Sequence, residues 1–325
     1  MYHGEFDKFD TIYLGGGTPS CLDTNDLKKI LTAVKIHLDL CDDFEITMEA
    51  NPSDIYPEKI NIIRELNINK INLGVQSFDE AGLKLLGRNH SKDQAIKAIE
   101  DLRESQINNI GIDLIYGRPG QEIKDWLKEL EQATLSNPDH ISCYELTIED
   151  KTLFSVKHKK NDLKLPDEEL QAEFFINTSE FLQESGYLHY EVSNFAKGES
   201  NISRHNSKYW DHTPYLGLGP SAHSFDGKSR WWNFSSIKKY CQYLDKKKFP
   251  IEEKEALTNE QLFLEKISLE LRTRRGVSIA MLEKINGWEE TLEQLEKSGH
   301  IRFENKRIKP TVKGLLVADH LPLCF

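Results

Sequence analysis

The chain has 325 residues, 38% of them hydrophobic and 29% charged, a composition that allows one large globular domain and a smaller one. Its formal net charge of −11 leaves no basic excess for nonspecific nucleic-acid binding. No apolar run approaches the roughly 18 residues of a membrane span, and no apolar leader follows Met1. We therefore expect a cytoplasmic protein that binds no nucleic acid and has no transmembrane segment.

The cysteines also indicate a cytoplasmic location. Five of them stand at positions 21, 41, 143, 241 and 324, without the close spacing of a metal site. An odd, scattered set is typical of reduced thiols in the cytosol rather than of a disulfide framework.

In chain order, strand-like segments alternate with segments of helical periodicity. The strands are predicted at 11–15, 44–51, 70–76, 110–117 and 140–147, and helices at 24–38, 91–105, 123–138 and 165–187. This alternation indicates βαβ units and a parallel sheet, either open or curled into a barrel.

After Gly186 the pattern changes. Residues 188–234 indicate irregular structure with short strands, whereas 258–325 indicate three helices, a hairpin turning at 304–306 and a last short helix. Such an order is typical of a winged-helix-like module, which in an acidic chain we interpret as a packing element. We predict three parts: a barrel over 1–187, connecting structure over 188–257 and the winged-helix-like domain over 258–325.

The first predicted strand ends in three glycines, within "IYLGGGTPS". The alternatives are a tight turn, a phosphate cradle or a site for a ligand with an amino-acid end. A phosphate cradle lacks support because neither a P-loop Lys nor the spacing G-x-G-x-x-G is present. Bare carbonyl and amide groups, with the Thr18 hydroxyl, suit an ammonium and a carboxylate.

Polar residues also stand at or near the ends of other strands: Glu49, Gln76 and Asp113. Each alone could be a surface residue or half of an ion pair. Because the carboxyl ends of parallel strands meet at one rim, we expect the set to form one site. Glu49 would accept hydrogen bonds from a ligand ammonium, and Asp113 would accept them from a ribose diol. Arg88 would donate two parallel hydrogen bonds to a ligand carboxylate.

Six segments in order carry a family resemblance: "IYLGGGTPS", "ITMEANP", "INLGVQSFDE", "LGRNH", "IGIDLIYGRPGQ" and "YELTIEDKTLF". From about residue 10 to residue 225 the chain resembles the radical S-adenosylmethionine proteins related to oxygen-independent coproporphyrinogen III oxidase, with weaker similarity to its end. The resemblance implies a partial parallel (β/α)6 TIM-like barrel. It also implies that S-adenosylmethionine binds at Gly16, Gly17, Thr18, Glu49, Gln76, Arg88 and Asp113.

A second motif, His205-Asn206-x-x-Tyr209-Trp210, suits haem. A neutral imidazole is an axial ligand of haem iron, Asn206 could orient it, and two aromatic rings could line the macrocycle. The alternatives are a loop histidine among core aromatics, or a zinc site of His205, His212 and His223. The motif, with "YELTIE" upstream, is similar to the haem-chaperone branch of the family.

The chain differs from the family in the residues that would bind a metal cluster. The resemblance implies a [4Fe–4S] cluster held by C-x-x-x-C-x-x-C after the first barrel strand, and no such triplet occurs in this sequence. We expect that the first βα unit is missing from the sequence and that the cluster belongs to the full-length protein only. The alternative is a protein that has dropped the cluster.

These features lead to one main functional expectation and two alternatives. We expect a haem chaperone that binds haem and S-adenosylmethionine and delivers haem to an acceptor protein. As printed, the chain would be inactive in radical chemistry, and we assign it no catalytic residue. The alternatives are an oxygen-independent coproporphyrinogen III oxidase and a cluster-less, degenerate binding protein.

Overall fold

A seven-stranded sheet curled into a half-barrel dominates the computed structural model, which describes residue 6 and residues 8–149, 153–159 and 163–325. Its strands are β1 (Phe9–Leu14), β2 (Leu40–Ala50), β3 (Lys70–Gln76), β4 (Ile110–Tyr116), β5 (His140–Glu145), β6 (Leu188–Glu191) and β7 (Asn194–Ala196). The spatial order is β1-β2-β3-β4-β5-β7-β6. Strands β2 to β5 pair in parallel, and β7 pairs antiparallel with both β5 and β6. The predicted α/β fold with a partial parallel barrel is confirmed.

Helices alternate with these strands, as the periodicity predicted. They are α1 (Thr24–His37), α2 (Pro57–Glu65), α3 (Glu80–Leu85), α4 (Lys92–Glu104), α5 (Ile123–Leu135), α6 (Leu153–Lys159) and α7 (Glu168–Glu184). Local sequence sets several of their starts. Ser91 and Gln94 form a reciprocal capping box at α4, and Asp167 caps α7 by accepting from the Leu170 amide at 3.0 Å.

The two faces of the sheet differ in chemistry. One face packs under the helices and is apolar; its fully buried side chains include Ile46, Met48, Ile71, Leu73, Ile110, Ile112, Leu114 and Ile141. The alternating positions form the other face, which we call the interior face of the half-barrel. It carries Thr47, Lys70, Asn72, Gly111, Asp113, His140 and Ser142.

The rest of the chain forms shorter elements. The helices are α8 (Arg204–Trp210), α9 (Ile237–Asp245), α10 (Asn259–Glu270), α11 (Ile279–Leu282), α12 (Trp288–Lys297) and α13 (Val312–Leu316). The strands are β8 (His223–Phe225), β9 (Ser229–Asn233), β10 (Ile251–Ala256), β11 (Val277–Ser278), β12 (Ile301–Glu304) and β13 (Arg307–Pro310). They make two three-stranded sheets, β10-β9-β8 and β11-β13-β12.

The predicted winged-helix-like arrangement is present near the C-terminus. Helices α10, α11 and α12 precede the hairpin β12–β13, which turns at Asn305 and Lys306, both with positive φ. A separate apolar core, which includes Ile267, Leu292 and Ile308, lies beneath it. None of the helices in the described part of the chain is long and apolar enough to cross a membrane.

Backbone contacts divide the chain into two compact units. The sheet unit comprises Thr11–Lys35 and Phe44–Ser203. The second unit comprises Met1–Asp10, Ile36–Asp43 and Arg204–Phe325. The three-part division drawn from the sequence stays a prediction.

Candidate functional site

The glycine run after β1 forms an open loop whose three members differ. A Cβ on Gly15 would stand 2.5 Å from the Tyr13 ring and 2.7 Å from Glu49 Oε1, so a side chain there would displace these two groups. Gly16 has a φ of +79°, which side chains rarely adopt. Gly17 faces open space, and Thr18 is exposed beside it. The loop therefore presents bare backbone.

Hydrogen bonds tie this loop to the end of the neighbouring strand. The Ser20 hydroxyl donates to Asp54 Oδ2 at 2.6 Å and accepts from the Asn51 amide at 3.1 Å. Both partners follow β2, so the loops after β1 and β2 are held together. This anchoring fixes the glycines beside Glu49.

Glu49 lies at the end of β2, facing the loop. The Tyr13 hydroxyl donates to its Oε1 at 2.8 Å, and the Gly16 amide also donates to its carboxylate. Burial raises the pKa of Glu49, while these two hydrogen bonds act to lower it. The carboxylate is thus held in place at the glycine loop.

Asp113, near the end of β4, is the most perturbed acid of the rim. Burial raises its pKa to about 7, and the negative charge of Glu49 acts in the same direction. Ser142, Arg88 and Lys70 act to lower it. Asp113 Oδ1 has no hydrogen-bond partner among the described residues, so an acceptor is left available at the rim.

Arg88 lies beyond α3, where its backbone amide donates to the Leu83 carbonyl at 2.9 Å. Burial lowers the pKa of its guanidinium, and Asp113 opposes that shift. Its Nε finds no acceptor in the described part of the chain. Arg88 and Asp113 attract each other, yet Arg88 Nε and Asp113 Oδ1 are both left without a hydrogen-bond partner among the described residues.

Gln76 ends β3 with a φ of +67°, an uncommon backbone conformation for a residue with a side chain. Its amide folds back over Gly74, where a Cβ would lie 2.9 Å from Nε2. The amide therefore occupies space that the glycine leaves open on the strand before it.

The structure thus brings most of the predicted rim residues to the strand ends of one sheet. Contacts or electrostatic interactions connect Gly16, Glu49, Asp113 and Arg88. Gly17, Thr18 and Gln76 occupy the neighbouring loop and strand end.

The second predicted motif forms the short helix α8. His205 Nε2 lies 3.1 Å from the Tyr209 hydroxyl, four residues on, and the two rings meet edge to face at 5.3 Å. Tyr209 is 39% exposed and its ring also packs against Tyr215. Trp210 is half-buried, and its indole N–H finds no acceptor among the described residues. Asn206 directly follows His205, so it points about 100° around the helix.

The zinc alternative is wrong for the described residues, in which no three His, Cys, Asp or Glu side chains are grouped as a metal site. His212 pairs instead with Glu265 at 3.3 Å, and His223 stacks on Trp232 at 5.6 Å between ring centroids.

Sequence reasoning missed two residues that lie beside the rim residues. Tyr13, which holds Glu49, and Ser142, which stands opposite Asp113 on β5, were not predicted. For Ser142 the signal was present: in "HISC" polar and apolar residues alternate, as expected for a strand with one polar face.

The cysteines do not fit an iron–sulfur cluster. All five are free, and the sequence contains no C-x-x-x-C-x-x-C spacing. The residues of this chain therefore do not supply the ligands of the expected [4Fe–4S] cluster.

Comparison with known proteins places these features in a family. Residues 2–133 match the family model "Radical SAM superfamily". The chain is 34% identical over 325 residues to the protein named "Heme chaperone HemW" of Lactococcus lactis, covering 98% of this chain and 84% of that one. It is 32% identical over 318 residues to the protein of the same name from Bacillus subtilis, covering 96% of this chain and 84% of that one.

A solved structure has the same fold. It is described as coproporphyrinogen III oxidase (HemN) from Escherichia coli, a radical SAM enzyme, and superposes with a TM-score of 0.81 at 22% identity, covering 97% of this chain and 77% of that one. Since the sequence match extends over most of both chains in the relatives above, this chain belongs to the HemW family within the radical SAM superfamily.

Proposed function

We propose that this protein is a haem chaperone, which binds haem, delivers it to an acceptor protein and holds S-adenosylmethionine at the strand ends of the half-barrel. The observation that carries the proposal is the 34% identity, over 98% of this chain, to a protein named for that role. We also propose a cytoplasmic location, which the five free cysteines support.

The rim fits S-adenosylmethionine by its donor and acceptor groups. That cofactor carries an ammonium, a carboxylate and a ribose diol. Glu49 and the bare glycine carbonyls offer acceptors for the ammonium. Asp113 Oδ1 is an unmatched acceptor for a ribose hydroxyl, and the Nε of Arg88 is an unmatched donor.

At this rim the proposal is limited to binding of the cofactor. In radical SAM proteins an iron–sulfur cluster supplies the electron that cleaves the cofactor, and the cysteines of this chain do not fit one. We therefore assign none of the residues to a radical step. The likeness to the coproporphyrinogen III oxidase structure, at 22% identity, concerns the fold and does not favour that activity.

The α8 helix fits one edge of a haem. The Tyr209 hydroxyl holds the His205 imidazole at 3.1 Å, which would fix the ring orientation of an iron ligand. The exposed ring of Tyr209 offers a flat apolar surface. The unmatched indole N–H of Trp210 offers a donor to a propionate.

Haem titration of the protein and of His205→Ala tests this proposal. We expect a Soret band for the unaltered chain and at least a tenfold weaker affinity for the variant. His223→Ala is the matched control, because it removes an exposed imidazole of the same unit and should leave the titration unchanged. Equal affinity and an identical band for His205→Ala would remove this residue from the role, and absence of haem binding by the unaltered chain would overturn the proposal.

A further inference from the structure

Strand β3 ends in a strained turn at Gln76. The Ser77 amide donates to the Val75 carbonyl at 2.8 Å, around a Gln76 whose φ is +67°. A hydrogen bond between residues two apart, around a residue with positive φ, is the rare and strained kind of γ-turn. The pairing of β3 with β4 is irregular over the same interval, from Leu73 to Gln76. Backbone of this kind persists only where its surroundings hold it in place.

The turn determines where the Gln76 amide lies. An added Cβ at Gly74 would lie 2.9 Å from Gln76 Nε2 and 3.8 Å from the Ala50 carbonyl oxygen. Ala50 follows Glu49 at the end of β2. The turn therefore places the amide beside the strand end that carries Glu49.

A buried polar network holds the chain just after the turn. Ser77 is completely buried, and its hydroxyl contacts the Glu129 carboxylate and the Arg118 guanidinium. The Phe78 amide donates to Glu129 Oε2 at 3.0 Å, and the Asp79 amide donates to Ser77 Oγ at 3.0 Å. Because Glu129 lies on α5, the network fixes the residues after the turn against a neighbouring helix.

His90 holds the chain just before Gln76. Its Nε2 lies 3.0 Å from the Val75 carbonyl oxygen, the acceptor that closes the turn. A carbonyl oxygen only accepts, so Nε2 carries the hydrogen and donates it. The imidazole is 5% exposed, which strengthens the hydrogen bond by shielding it from water. The turn is therefore held on both sides, by the network at Ser77 and by His90.

The imidazole itself belongs to a segment that is fixed between two helices. Before it, the Arg88 amide donates to a carbonyl of α3 at 2.9 Å. After it, Ser91 forms the capping box that begins α4. The hydrogen bond from His90 to Val75 thus joins the segment that carries Arg88 to the strand end that carries Gln76. Both of these side chains belong to the predicted cofactor set.

We propose that His90 is a positioning residue of the cofactor site, which holds the γ-turn and thereby the Gln76 amide at the rim. This role rests on the proposed S-adenosylmethionine site, and it acts through Gln76 rather than by contact with the ligand. Without the hydrogen bond, the turn relaxes toward the backbone angles that residues with side chains prefer. That relaxation moves the Gln76 amide away from its place over Gly74.

Calorimetric titration of the whole chain with S-adenosylhomocysteine, which carries the amino-acid and ribose groups of the cofactor, tests this role. His90→Phe keeps a buried ring without the donor, and should bind about tenfold more weakly than the unaltered chain. His90→Gln returns a donor near the position of Nε2, and should recover the affinity to within about threefold. Recovery assigns the loss to the hydrogen bond rather than to packing.

His189→Phe is the matched control. His189 is 7% exposed in the same unit, and its Nε2 also lies close to a backbone carbonyl, that of Val192 at 3.1 Å. It lies on β6, outside the predicted cofactor set, so its loss should leave the affinity unchanged even where it lowers stability. The midpoint of thermal unfolding of each variant shows that binding is measured on folded protein.

A double variant tests whether His90 acts through the turn. Glycine adopts positive φ without strain, so the turn in Gln76→Gly no longer needs support. Gln76→Gly should bind more weakly by itself, and the addition of His90→Phe should change the affinity by less than about twofold. A further tenfold loss in that background would contradict the proposal.

The remaining outcomes separate this role from the cofactor site. If the unaltered chain binds S-adenosylhomocysteine and His90→Phe binds it equally tightly, the site stands and the role of His90 is wrong. The role is also wrong if His90→Gln binds as weakly as His90→Phe. If the unaltered chain does not bind the compound, the proposed cofactor site fails, and this role fails with it.

Discussion

The two faces of the half-barrel sheet are built from alternating residues of the same strands, yet they have opposite chemistry. Under the helices, Ile71, Leu73, Ile112 and Ile141 are completely buried in one apolar core. On the interior face, several polar atoms are buried without a partner among the described residues: those of Lys70, Asn72, Asp113 and His140. Barrel interiors are ordinarily filled by branched apolar side chains. The difference indicates that the apolar face provides the packing that stabilises the fold, whereas the interior face keeps polar atoms that the described residues leave unmatched.

The test of this comparison with the largest expected effect uses the adjacent residues Ile112 and Asp113 on β4. Ile112→Ala should lower the free energy of unfolding by about 3 kcal/mol, because it removes a fully buried side chain and leaves a cavity. Asp113→Asn at neutral pH should lower it by much less, while weakening binding of S-adenosylhomocysteine, a stable analogue of the proposed cofactor. Urea unfolding and calorimetric titration measure both effects. Similar losses of stability would contradict the division between the faces.

The second test uses the pH dependence of stability. Burial raises the pKa values of Asp113 and Glu191 to about 7 in the folded chain, whereas unfolded carboxyl groups titrate near 4. Between these values the folded state holds more protons than the unfolded state. The free energy of unfolding should therefore fall as pH rises from 5 to 7, by about 1 kcal/mol per pH unit for each group.

The variants Asp113→Asn and Glu191→Gln should each flatten that slope, as followed by urea unfolding at a series of pH values. Glu65→Gln is the control, because it removes an exposed carboxylate of the same unit. A stability that rises over the same interval in the unaltered chain, and in both buried-site variants, would argue against ionisable groups inside the half-barrel.

The smallest effect comes from Ser142 and Cys143, neighbours on β5 that face opposite ways. Ser142→Ala removes a hydroxyl that stands opposite Asp113 and acts to lower the pKa of that acid, and should change stability by less than about 1 kcal/mol. Cys143→Ser places a hydroxyl in the apolar core and should cost about 1–2 kcal/mol. Thermal unfolding measures the pair. A larger loss for Ser142→Ala than for Cys143→Ser would reverse the comparison.

The parallel sheet could be predicted from the sequence because each strand combines an apolar face with a polar end. The segment "KINLGVQ" was predicted as a strand over 70–76, the same bounds as β3. The winged-helix-like module was predictable because its helices and its turn at Asn305 have clear local signals. The predictions of the sheet strands and of the winged-helix-like module both depend on residues that are close together in the sequence.

The closing strands and the deeper interior could not be predicted in the same way. Strand β7 lies between β5 and β6, so the sheet ends out of chain order. The opposition of Asn72, Gly111 and His140 depends on register between strands that are tens of residues apart. Rim residues can be located from strand ends alone, whereas positions inside the half-barrel require the register.

The glycines within the strands have a consequence for how the interior can change. Gly74 and Gly111 each leave room for a neighbouring amide, that of Gln76 and that of Asn72. A single-base change turns a glycine codon into an alanine codon, and one added methyl at either position would displace that amide. One mutation can therefore alter the space inside the half-barrel, without any change to the apolar face that stabilises the fold.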